Sequence, residues 1–453
     1  MPELSASYFE RAADIMQRCD ALARLSSLPE GVCRTYLTPE HRQCNQQVST
    51  WLREAGLQAW QDAAGNQWGR LPAAAVDAAA VDAATVDTAA VDTAAGESGA
   101  AEAATLIVGS HLDTIPNAGK YDGILGVLLA LSVAEKLRAN DTELPFHLDI
   151  VGFGDEEGVR FGTTLLGSRA VAGSWQPHWN ALTDSAGITL KQALDDFAGQ
   201  PIDIERSSRA TDDLVGYLEV HIEQGPVLEK TDQALGIVTS IAGARRFRLE
   251  LLGQAGHAGT VPMAMRQDAL AAAAQVILDV EQVAKRHDIV ATVGDVACDP
   301  GAANVIPGRC VLTIDVRAES DDSRDRAVTD LQQQVAALVS ARGMQATWQE
   351  THNASAAACA PWLQDVMSHA LASMSLPAPR LMSGAGHDAM AIAPITDVGM
   401  LFVRCAGGIS HHPAESITTE DVALALEALE RTVLALAQQY ASVSSLAKED
   451  SAA

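Results

Sequence analysis

Positive charge is scarce in this sequence. The 453 residues include 31 Lys and Arg against 58 Asp and Glu, which gives a formal net charge of −27. Binding to nucleic acid phosphates or to an anionic membrane surface needs clusters of Lys and Arg. The charge balance therefore argues against nucleic acid and membrane surfaces as partners, although it says little about a small substrate.

Long apolar runs and paired cysteines are also missing. No run approaches the ~20 apolar residues that a membrane-spanning helix needs, and the polar N-terminus Met-Pro-Glu-Leu-Ser lacks a secretory pattern. The seven cysteines are scattered, odd in number and form no CxxC motif. These features predict a cytoplasmic protein without a disulfide framework or a cysteine-based zinc site.

A strand, a polar loop and an apolar helix follow one another in residues 105–126. The apolar run has the length of a buried strand, breaks at Gly109 and is followed by His111, Asp113 and Asp122. Open α/β sheets keep their sites outside the carboxyl ends of the strands. There, Asp113 could accept a hydrogen bond from the His111 imidazole. Taken alone, the same residues could equally serve turn chemistry.

The order of elements predicts an α/β chain with an inserted domain. Residues 1–242 and 351–453 are predicted to form a catalytic domain with a mixed sheet flanked by helices. Residues 243–350 between them have a β-α-β-β-α order, which predicts a small α+β domain of the ferredoxin-like kind. Within 73–104, Val-Asp recurs every five residues in an Ala/Thr background. We interpret that segment as a flexible surface insertion, with a binding arm as the alternative.

Four predicted strand ends carry imidazole or carboxylate groups. These groups are His111 with Asp122, Glu156 with Glu157, His221, and either His411 or His412. Imidazoles and carboxylates without thiolates suit Zn, Mn or Co. Five ligands exceed one tetrahedral ion but fit two ions that share a carboxylate, for which Asp122 is the natural bridge. Adjacent residues of an extended segment point opposite ways, so one of Glu156 and Glu157 could bind metal while the other acts as general base.

Nine motifs extend this pattern along the chain. They are GSHLDT, YDGILG, DEEGVRF, HIEQGP, GQAGHAGTVPM, NVIPG, IDVR, SGAGHDAM and GGISHHPAE. Together they resemble the hydantoinase/carbamoylase branch of the dinuclear metallopeptidase and aminoacylase superfamily, from about residue 8 to about residue 440 apart from the insertion. That branch contains allantoate amidohydrolases, N-carbamoyl-L-amino acid hydrolases and β-ureidopropionases.

The resemblance implies two divalent metal ions in each subunit. His111 and His221 would hold one ion, Glu157 and His411 would hold the other, and Asp122 would bridge them. Zinc or manganese is expected, with cobalt or nickel as alternatives, because His and carboxylate ligands accept all four.

The resemblance also separates two acidic residues from the ligands. Glu156 would be the general base that acts on a metal-bridged hydroxide, and Asp113 would orient His111. His412 occupies a variable position of the family motif, and we interpret it as a neighbour of His411 only.

The inserted domain is similar to the dimerisation and lid domain of the family, which implies a homodimer. His257, Asn304 and Arg317 match positions that family members use to hold substrate. Arg317 offers a bidentate fork for a carboxylate, and the other two can donate to a developing oxyanion or to a ureido oxygen. Gln224 and His387 lie in matching motifs and are weaker candidates for substrate contact, with loop support as the alternative.

The resemblance therefore implies an amidohydrolase that cleaves the carbamoyl C–N bond of a ureido acid. Allantoate, an intermediate of purine catabolism, is the favoured substrate because the C-terminal half is most similar to allantoate amidohydrolases. N-carbamoyl-L-amino acid hydrolase and β-ureidopropionase are the alternatives. A non-catalytic binding protein would require the loss of a ligand or of the base. A peptidase or aminoacylase is opposed by His221, which stands where many of those enzymes carry an acidic ligand.

Overall fold

The computed structural model describes residues 5–74 and 103–451, with side chains as far as Ser442. Its contacts divide the chain into two compact units. The first consists of Met1–Thr239, Cys359–Leu381 and His387–Ala453, and the second of Ser240–Ala358 and Met382–Gly386. Most of the predicted insertion at 73–104, including every Val-Asp repeat, lies outside the described residues.

The described residues form a series of helices and strands. The helices are α1 (Ala6–Ala23), α2 (Pro39–Glu54), α3 (Ile124–Ala139), α4 (Leu166–Val171), α5 (Leu190–Ala198), α6 (Val227–Lys230), α7 (Ala269–His287), α8 (Asp321–Ala341), α9 (Pro361–Ser373), α10 (Ala389–Ile392) and α11 (Thr419–Ser451). The strands are β1 (Gln58–Gln61), β2 (Gln67–Leu71), β3 (Thr105–His111), β4 (His147–Phe153), β5 (Leu214–Ile222), β6 (Leu235–Ile241), β7 (Gly243–Leu252), β8 (Gly256–His257), β9 (Val290–Asp299), β10 (Val305–Ile306), β11 (Arg309–Ala318), β12 (Gln345–Ala354), β13 (Ala357–Ala358), β14 (Arg380–Ser383) and β15 (Val398–Val403).

The larger sheet is mixed, as the sequence predicts. Its strand order is β1-β2-β4-β3-β5-β15-β6-β13, with β14 paired to β6. Strands β4, β3, β5 and β15 are parallel to one another, whereas β2 and β6 run antiparallel to their neighbours in this group. The carboxyl ends of the four parallel strands therefore meet at one edge, which is where α/β sheets place their sites.

Strand β3 continues through Gly109, where the sequence predicts a break. Gly109 lies opposite Val151 of β4, and a Cβ at Gly109 would stand 2.0 Å from the Val151 carbonyl oxygen. The missing side chain thus allows the two strands to approach closely rather than ending the strand. As a result, His111 is the last residue of β3 and is fixed by the sheet.

Helix α3 lies in the centre of the core of the first unit. Its residues from Ile124 to Ala134 are all buried, as expected of a helix that is apolar on every side. Asp122 stands just before its first turn, so the packing of α3 fixes the position of that carboxylate. Among the described residues, no helix is long and apolar enough to cross a membrane.

Helix α2 begins with a side-chain cap. Thr38 precedes α2 and its hydroxyl accepts a hydrogen bond from the backbone N–H of His41, an N-cap that Thr followed by Pro at the first helical position favours. Helix α11, the last helix of the chain, continues to Ser451.

The second unit contains a four-stranded antiparallel sheet in the order β12-β7-β11-β9, together with α7 and α8. Its boundaries differ from the predicted 243–350. Strand β12 passes residue 350 and pairs with β7 as far as Ala354. The segment Met382–Gly386 also joins this unit, where the Ala242 N–H donates to the Ser383 carbonyl oxygen at 2.9 Å. A hydrogen bond between residues so far apart in the chain produces no local sequence pattern from which the boundary could be predicted.

Candidate metal centre

Two groups of side chains in the first unit have the geometry to hold a metal ion. One consists of His111, Asp122 and His221, and the other of Asp122, Glu157 and His411. Within each group, the ligand atoms lie within 4.8 Å of one another. The memberships equal the two ligand sets that the sequence resemblance implies, and Asp122 is shared by both. The individual roles as ligands remain predictions.

The carboxylate of Asp122 divides its two oxygens between the groups. Its Oδ1 lies 3.1 Å from His221 Nε2 and 3.5 Å from His111 Nε2. Its Oδ2 lies 3.5 Å from His411 Nε2, and the same His411 nitrogen lies 3.5 Å from Glu157 Oε1. One carboxylate oxygen thus faces each group, which is the arrangement that a bridging ligand needs.

The hydrogen bonds of the two inner histidines determine which nitrogen carries the proton. The Nδ1 of His111 bonds to the Asp113 carbonyl oxygen at 3.0 Å, and the Nδ1 of His221 bonds to the Ile222 carbonyl oxygen at 2.9 Å. A carbonyl can only accept, so each Nδ1 is protonated. Each Nε2 faces Asp122, where it can donate a proton to the carboxylate or, in the neutral ring, offer a lone pair to a cation. Two facing acceptors need a proton or a cation between them, so this donor set fits a divalent ion.

The charges around His111 and His221 also favour a bound cation. Burial by itself opposes a charged imidazole, but the bond to Asp122 and the nearby carboxylates raise the pKa of His111 well above its usual range. Burial likewise works against ionised Asp122, yet bonds from His111 and His221 hold the pKa of that carboxyl well below its usual range. A buried site that favours a positive charge beside an ionised carboxylate is suited to a cation.

Asp113 has a different role from the one predicted. Its carboxylate lies 3.7 Å from His111 Nδ1, too far for a hydrogen bond, and the backbone carbonyl of Asp113 takes that position instead. The carboxylate oxygens accept the backbone N–H groups of Glu156 at 3.1 Å and Glu157 at 3.3 Å. Asp113 therefore orients His111 through its main chain and fixes the Glu156-Glu157 segment through its side chain.

We expect Asp113→Asn to lower kcat by roughly 10- to 100-fold, as is usual when a supporting partner of a metal site is lost. Asparagine keeps one oxygen for one of the two backbone N–H groups, but its NH₂ would face the other N–H donor, so one bond is lost and the segment shifts. Steady-state kinetics and metal analysis of the purified variant test this. Unchanged kcat would show that the segment holds its position without Asp113.

Glu156 and Glu157 follow β4 and differ in their contacts. Desolvation raises the pKa of Glu156 well above its usual range, the Glu157 charge adds to this, and the His111 imidazole opposes it. Desolvation together with Asp122 raises the pKa of Glu157 to about 8. Glu157 approaches His411, whereas no group of candidate ligands includes Glu156 among the described residues. A carboxylate that lies outside the ligand groups and has a raised pKa suits proton transfer.

Gln224 contacts the candidate ligands rather than serving only its own loop. Its Nε2 donates to Asp122 Oδ2 at 2.8 Å and to Ser410 Oγ at 3.2 Å. Ser410 donates a short hydrogen bond to the same Asp122 oxygen. Gln224 and His411 both adopt positive φ values, 55° and 56°, which are uncommon for residues other than glycine and cluster at functional sites.

The sequence analysis missed Ser410 and Glu415, although both lie within the quoted motif GGISHHPAE. The Glu415 carboxylate accepts the backbone N–H groups of Tyr121 at 2.8 Å and Asp122 at 3.2 Å. Desolvation, together with the Asp122 charge, raises the pKa of Glu415 to about 7. Glu415 thus anchors the main chain of Asp122 while Ser410 contacts its carboxylate.

Gly123 allows the close approach of His111 to the start of α3. Its φ is 72°, and a Cβ there would lie 2.4 Å from the His111 ring. Any larger residue would displace the imidazole as well as strain the backbone. Steric contact with His111 therefore explains why glycine follows Asp122 in the YDGILG motif.

Two other histidines lie near the candidate ligands in sequence or space. The buried ring of His387 packs edge-on against His221, with centroids 4.5 Å apart. Burial, reinforced by His221, lowers the pKa of His387 well below its usual range. His412 Nδ1 accepts the Ala414 N–H at 3.1 Å and so supports its loop. The structure therefore favours His411 over His412 as the candidate ligand.

The other predicted substrate contacts belong to the second unit. His257 pairs with Val305, and the Ala258 N–H donates to the Asn304 carbonyl oxygen at 3.0 Å, so His257 and Asn304 lie side by side. The side-on fork of Arg317 is occupied, because its Nε and NH2 donate to the Asp315 carboxylate at 2.8 and 3.1 Å. Arg317 NH1 donates to the Gly384 carbonyl oxygen at 2.6 Å. A substrate carboxylate would have to bind the remaining N–H groups.

The fold and the site define a class: α/β enzymes with a candidate metal centre at the carboxyl ends of the strands. The family model for Peptidase family M20/M25/M40 matches residues 107–435, and the chain belongs to this family. It is a hydrolase that acts on C–N bonds. The predicted resemblance to the hydantoinase/carbamoylase branch is confirmed by the relatives and solved structures that follow.

Relatives with two activities are similar over most of the chain. Allantoate deiminase 2 of Glycine max is 36% identical over 444 residues, covering 90% of this chain and 86% of the relative. N-carbamoyl-L-amino acid amidohydrolase of Geobacillus stearothermophilus is 35% identical over 426 residues, covering 94% and 98%. The crystal structure of an amidase of the hydantoinase/carbamoylase family from Burkholderia multivorans matches with a TM-score of 0.84, 29% identity and coverage of 94% and 98%.

Proposed function

We propose that this chain is a dinuclear metal amidohydrolase that cleaves the carbamoyl C–N bond of a ureido acid. The observation that carries the proposal is the position of Asp122, with one carboxylate oxygen toward His111 and His221 and the other toward His411. Two divalent ions bound there would supply Lewis acidity for the carbonyl and lower the pKa of the attacking water. Zinc or manganese is proposed, with cobalt or nickel as alternatives.

The residues of the chain would then handle the proton and hold the substrate. Glu156 would take the proton of the water as its oxygen attacks the carbamoyl carbon, and would pass it to the nitrogen as the C–N bond breaks. The products are an amine together with ammonia and carbon dioxide. The remaining N–H groups of Arg317 would bind the substrate carboxylate, and His257 and Asn304 would donate to the ureido oxygen.

Allantoate is the proposed substrate, and N-carbamoyl-L-amino acids are the alternative. Support for allantoate comes from the identity of 36% to the soybean allantoate deiminase, against 35% for the bacterial N-carbamoyl-L-amino acid amidohydrolase. This difference is small, and all the candidate ligands lie in motifs that the whole branch shares. The proposal also includes a homodimer, with the second unit as its dimerisation and lid domain, and a cytoplasmic location.

We expect metal-loaded protein to hydrolyse allantoate with a kcat/KM at least about tenfold above that for N-carbamoyl-L-amino acids, a difference of about 1.4 kcal/mol in transition-state free energy. Ammonia release should be measured for allantoate, N-carbamoyl-L-methionine and β-ureidopropionate after apo-protein has been reloaded separately with Zn, Mn, Co and Ni. A dipeptide is the matched control, because it has an amide bond but no carbamoyl group. Its hydrolysis releases amino acids rather than ammonia, so it is followed by the release of free amino acids.

Each outcome of this panel has a definite meaning. Faster hydrolysis of the N-carbamoyl amino acids would reverse the order of the two substrates and leave the reaction class intact. Hydrolysis of the dipeptide alone would contradict the proposed class. The absence of turnover with all four metals, in protein that binds two ions per chain, would favour a binding protein on this fold.

A further inference from the structure

Two cysteines of the second unit face each other across neighbouring strands. Cys298 near the end of β9 lies directly opposite Cys310 near the start of β11, and their Sγ atoms are 2.7 Å apart. Directly opposite residues of an antiparallel pair have Cα atoms roughly 4.5–5.5 Å apart. This spacing falls inside the roughly 4.4–6.8 Å range that a disulfide requires, so a covalent bond needs little backbone movement.

The two thiols have unequal access to solvent. Cys310 is fully buried in the core of the second unit beside residues such as Leu312, whereas Cys298 is partly exposed. Burial, together with the contact to Cys298, raises the pKa of Cys310 to about 12. A small oxidant would therefore reach Cys298 first, with Cys310 already in place as the second sulfur. The other five cysteines of the chain are buried.

We propose that Cys298 and Cys310 form a redox-active thiol pair, which hydrogen peroxide converts into an intramolecular disulfide and a thiol reductant restores. The Cys298 sulfur attacks one oxygen of the peroxide, the O–O bond breaks, the sulfenic acid keeps that oxygen, and the other oxygen leaves as water. The Cys310 sulfur then attacks the Cys298 sulfur, the S–S bond forms, the S–O bond breaks, and a second water leaves with the Cys310 proton. In total, two electrons and two protons pass from the thiols to the peroxide.

The segment that this bond would close carries predicted substrate contacts. Residues between the two cysteines include Asn304, and the neighbouring Val305 pairs with His257. Oxidation would therefore link the two ends of the loop that contains Asn304 and that pairs with His257 through Val305. This consequence for the substrate loop rests on the proposed function, whereas the redox chemistry of the thiol pair does not.

The experiment uses the reduced full-length protein. It is treated with stepwise additions of hydrogen peroxide, then denatured, alkylated, digested and examined by mass spectrometry. We expect two of the seven cysteines to become protected from alkylation, the intact mass to fall by two hydrogens, and one linked peptide pair to contain Cys298 and Cys310. Dithiothreitol should reverse all three changes.

Single variants identify the order of events. Cys310→Ser should accumulate a sulfenic acid at Cys298 that dimedone traps, whereas Cys298→Ser should keep Cys310 reduced. Cys33→Ser, a change at a cysteine outside the pair, should form the disulfide as the wild type does. The proposal is overturned if wild-type protein keeps all its thiols at a peroxide excess that oxidises free glutathione, or if the linkage joins other cysteines. The wild-type peptide map decides this even if a variant fails to fold.

A second readout separates the thiol pair from the proposed function. Hydrogen exchange at residues 299–309 should slow in the oxidised protein and recover on reduction. Activity on the best substrate should change in wild type and in Cys33→Ser, but not in Cys298→Ser. A disulfide that forms without any change in activity would leave the redox pair established and remove only its link to the substrate loop.

Discussion

Replacing Glu156 with glutamine is expected to lower kcat by roughly 10²- to 10⁴-fold, the range that positioned acid–base groups contribute. The amide keeps the size of the side chain but cannot accept and return a proton. Because Glu156 lies outside both ligand groups, the variant should retain its metal ions and its substrate KM. This combination, low kcat with full metal content, distinguishes a proton-transfer group from a ligand.

The test of this expectation pairs kinetics with elemental analysis. Glu143→Gln is the matched control, because it makes the same chemical change at an exposed position and should leave kcat unaltered. Glu157→Gln should instead lose metal, since Glu157 approaches His411 in the second ligand group. Full activity of Glu156→Gln would remove Glu156 from the mechanism, and a loss of metal from that variant would make it a ligand.

Asp122→Asn is expected to reduce both metal content and activity, more severely than any other single change in the cluster. Asparagine has one oxygen where Asp122 has two, and it lacks the charge that His111 and His221 face. The loss should exceed the roughly 100-fold that removal of an outer partner costs. Metal-to-protein ratios after dialysis, and ammonia release on the best substrate, measure the two effects.

Ser410→Ala is the matched comparison for the Asp122 variant. It removes one hydrogen bond to Asp122 Oδ2 but leaves the carboxylate and its charge in place. We expect this comparison variant to keep its metal ions and to lose less activity than Asp122→Asn. If Asp122→Asn retains a full complement of two ions after dialysis, Asp122 is not a bridging ligand and the dinuclear proposal is wrong.

The strand-end positions of the candidate ligands could be predicted because each follows an apolar strand in the sequence. His111 is the last residue of β3 and His221 the next-to-last residue of β5, and parallel strands bring their carboxyl ends together. Gly109 was misjudged because glycine has two uses, as a strand breaker and as a contact that permits close approach. Only the position of the Val151 carbonyl distinguishes them.

The supporting residues could not be predicted because their partners lie far away along the chain. Glu415 contacts the backbone of Tyr121, a separation of 294 residues, and Ser410 contacts Asp122 across 288. The ion pair between Asp315 and Arg317, in contrast, could have been predicted. Asp315 stands two residues before Arg317 on β11, and the period of two places both on one face of the strand, so their ion pair could have been inferred from the IDVR motif.

One structural contrast within the cluster bears on how the protein would acquire its ions. The side chains of His111 and His221 are each 1% exposed, whereas that of His411 is 48% exposed. A metal ion bound between the buried His111 and His221 imidazoles would be retained through purification. The ion bound by His411 would exchange with metal ions in solution. A site with two different metals could therefore be prepared by adding the second metal after the first.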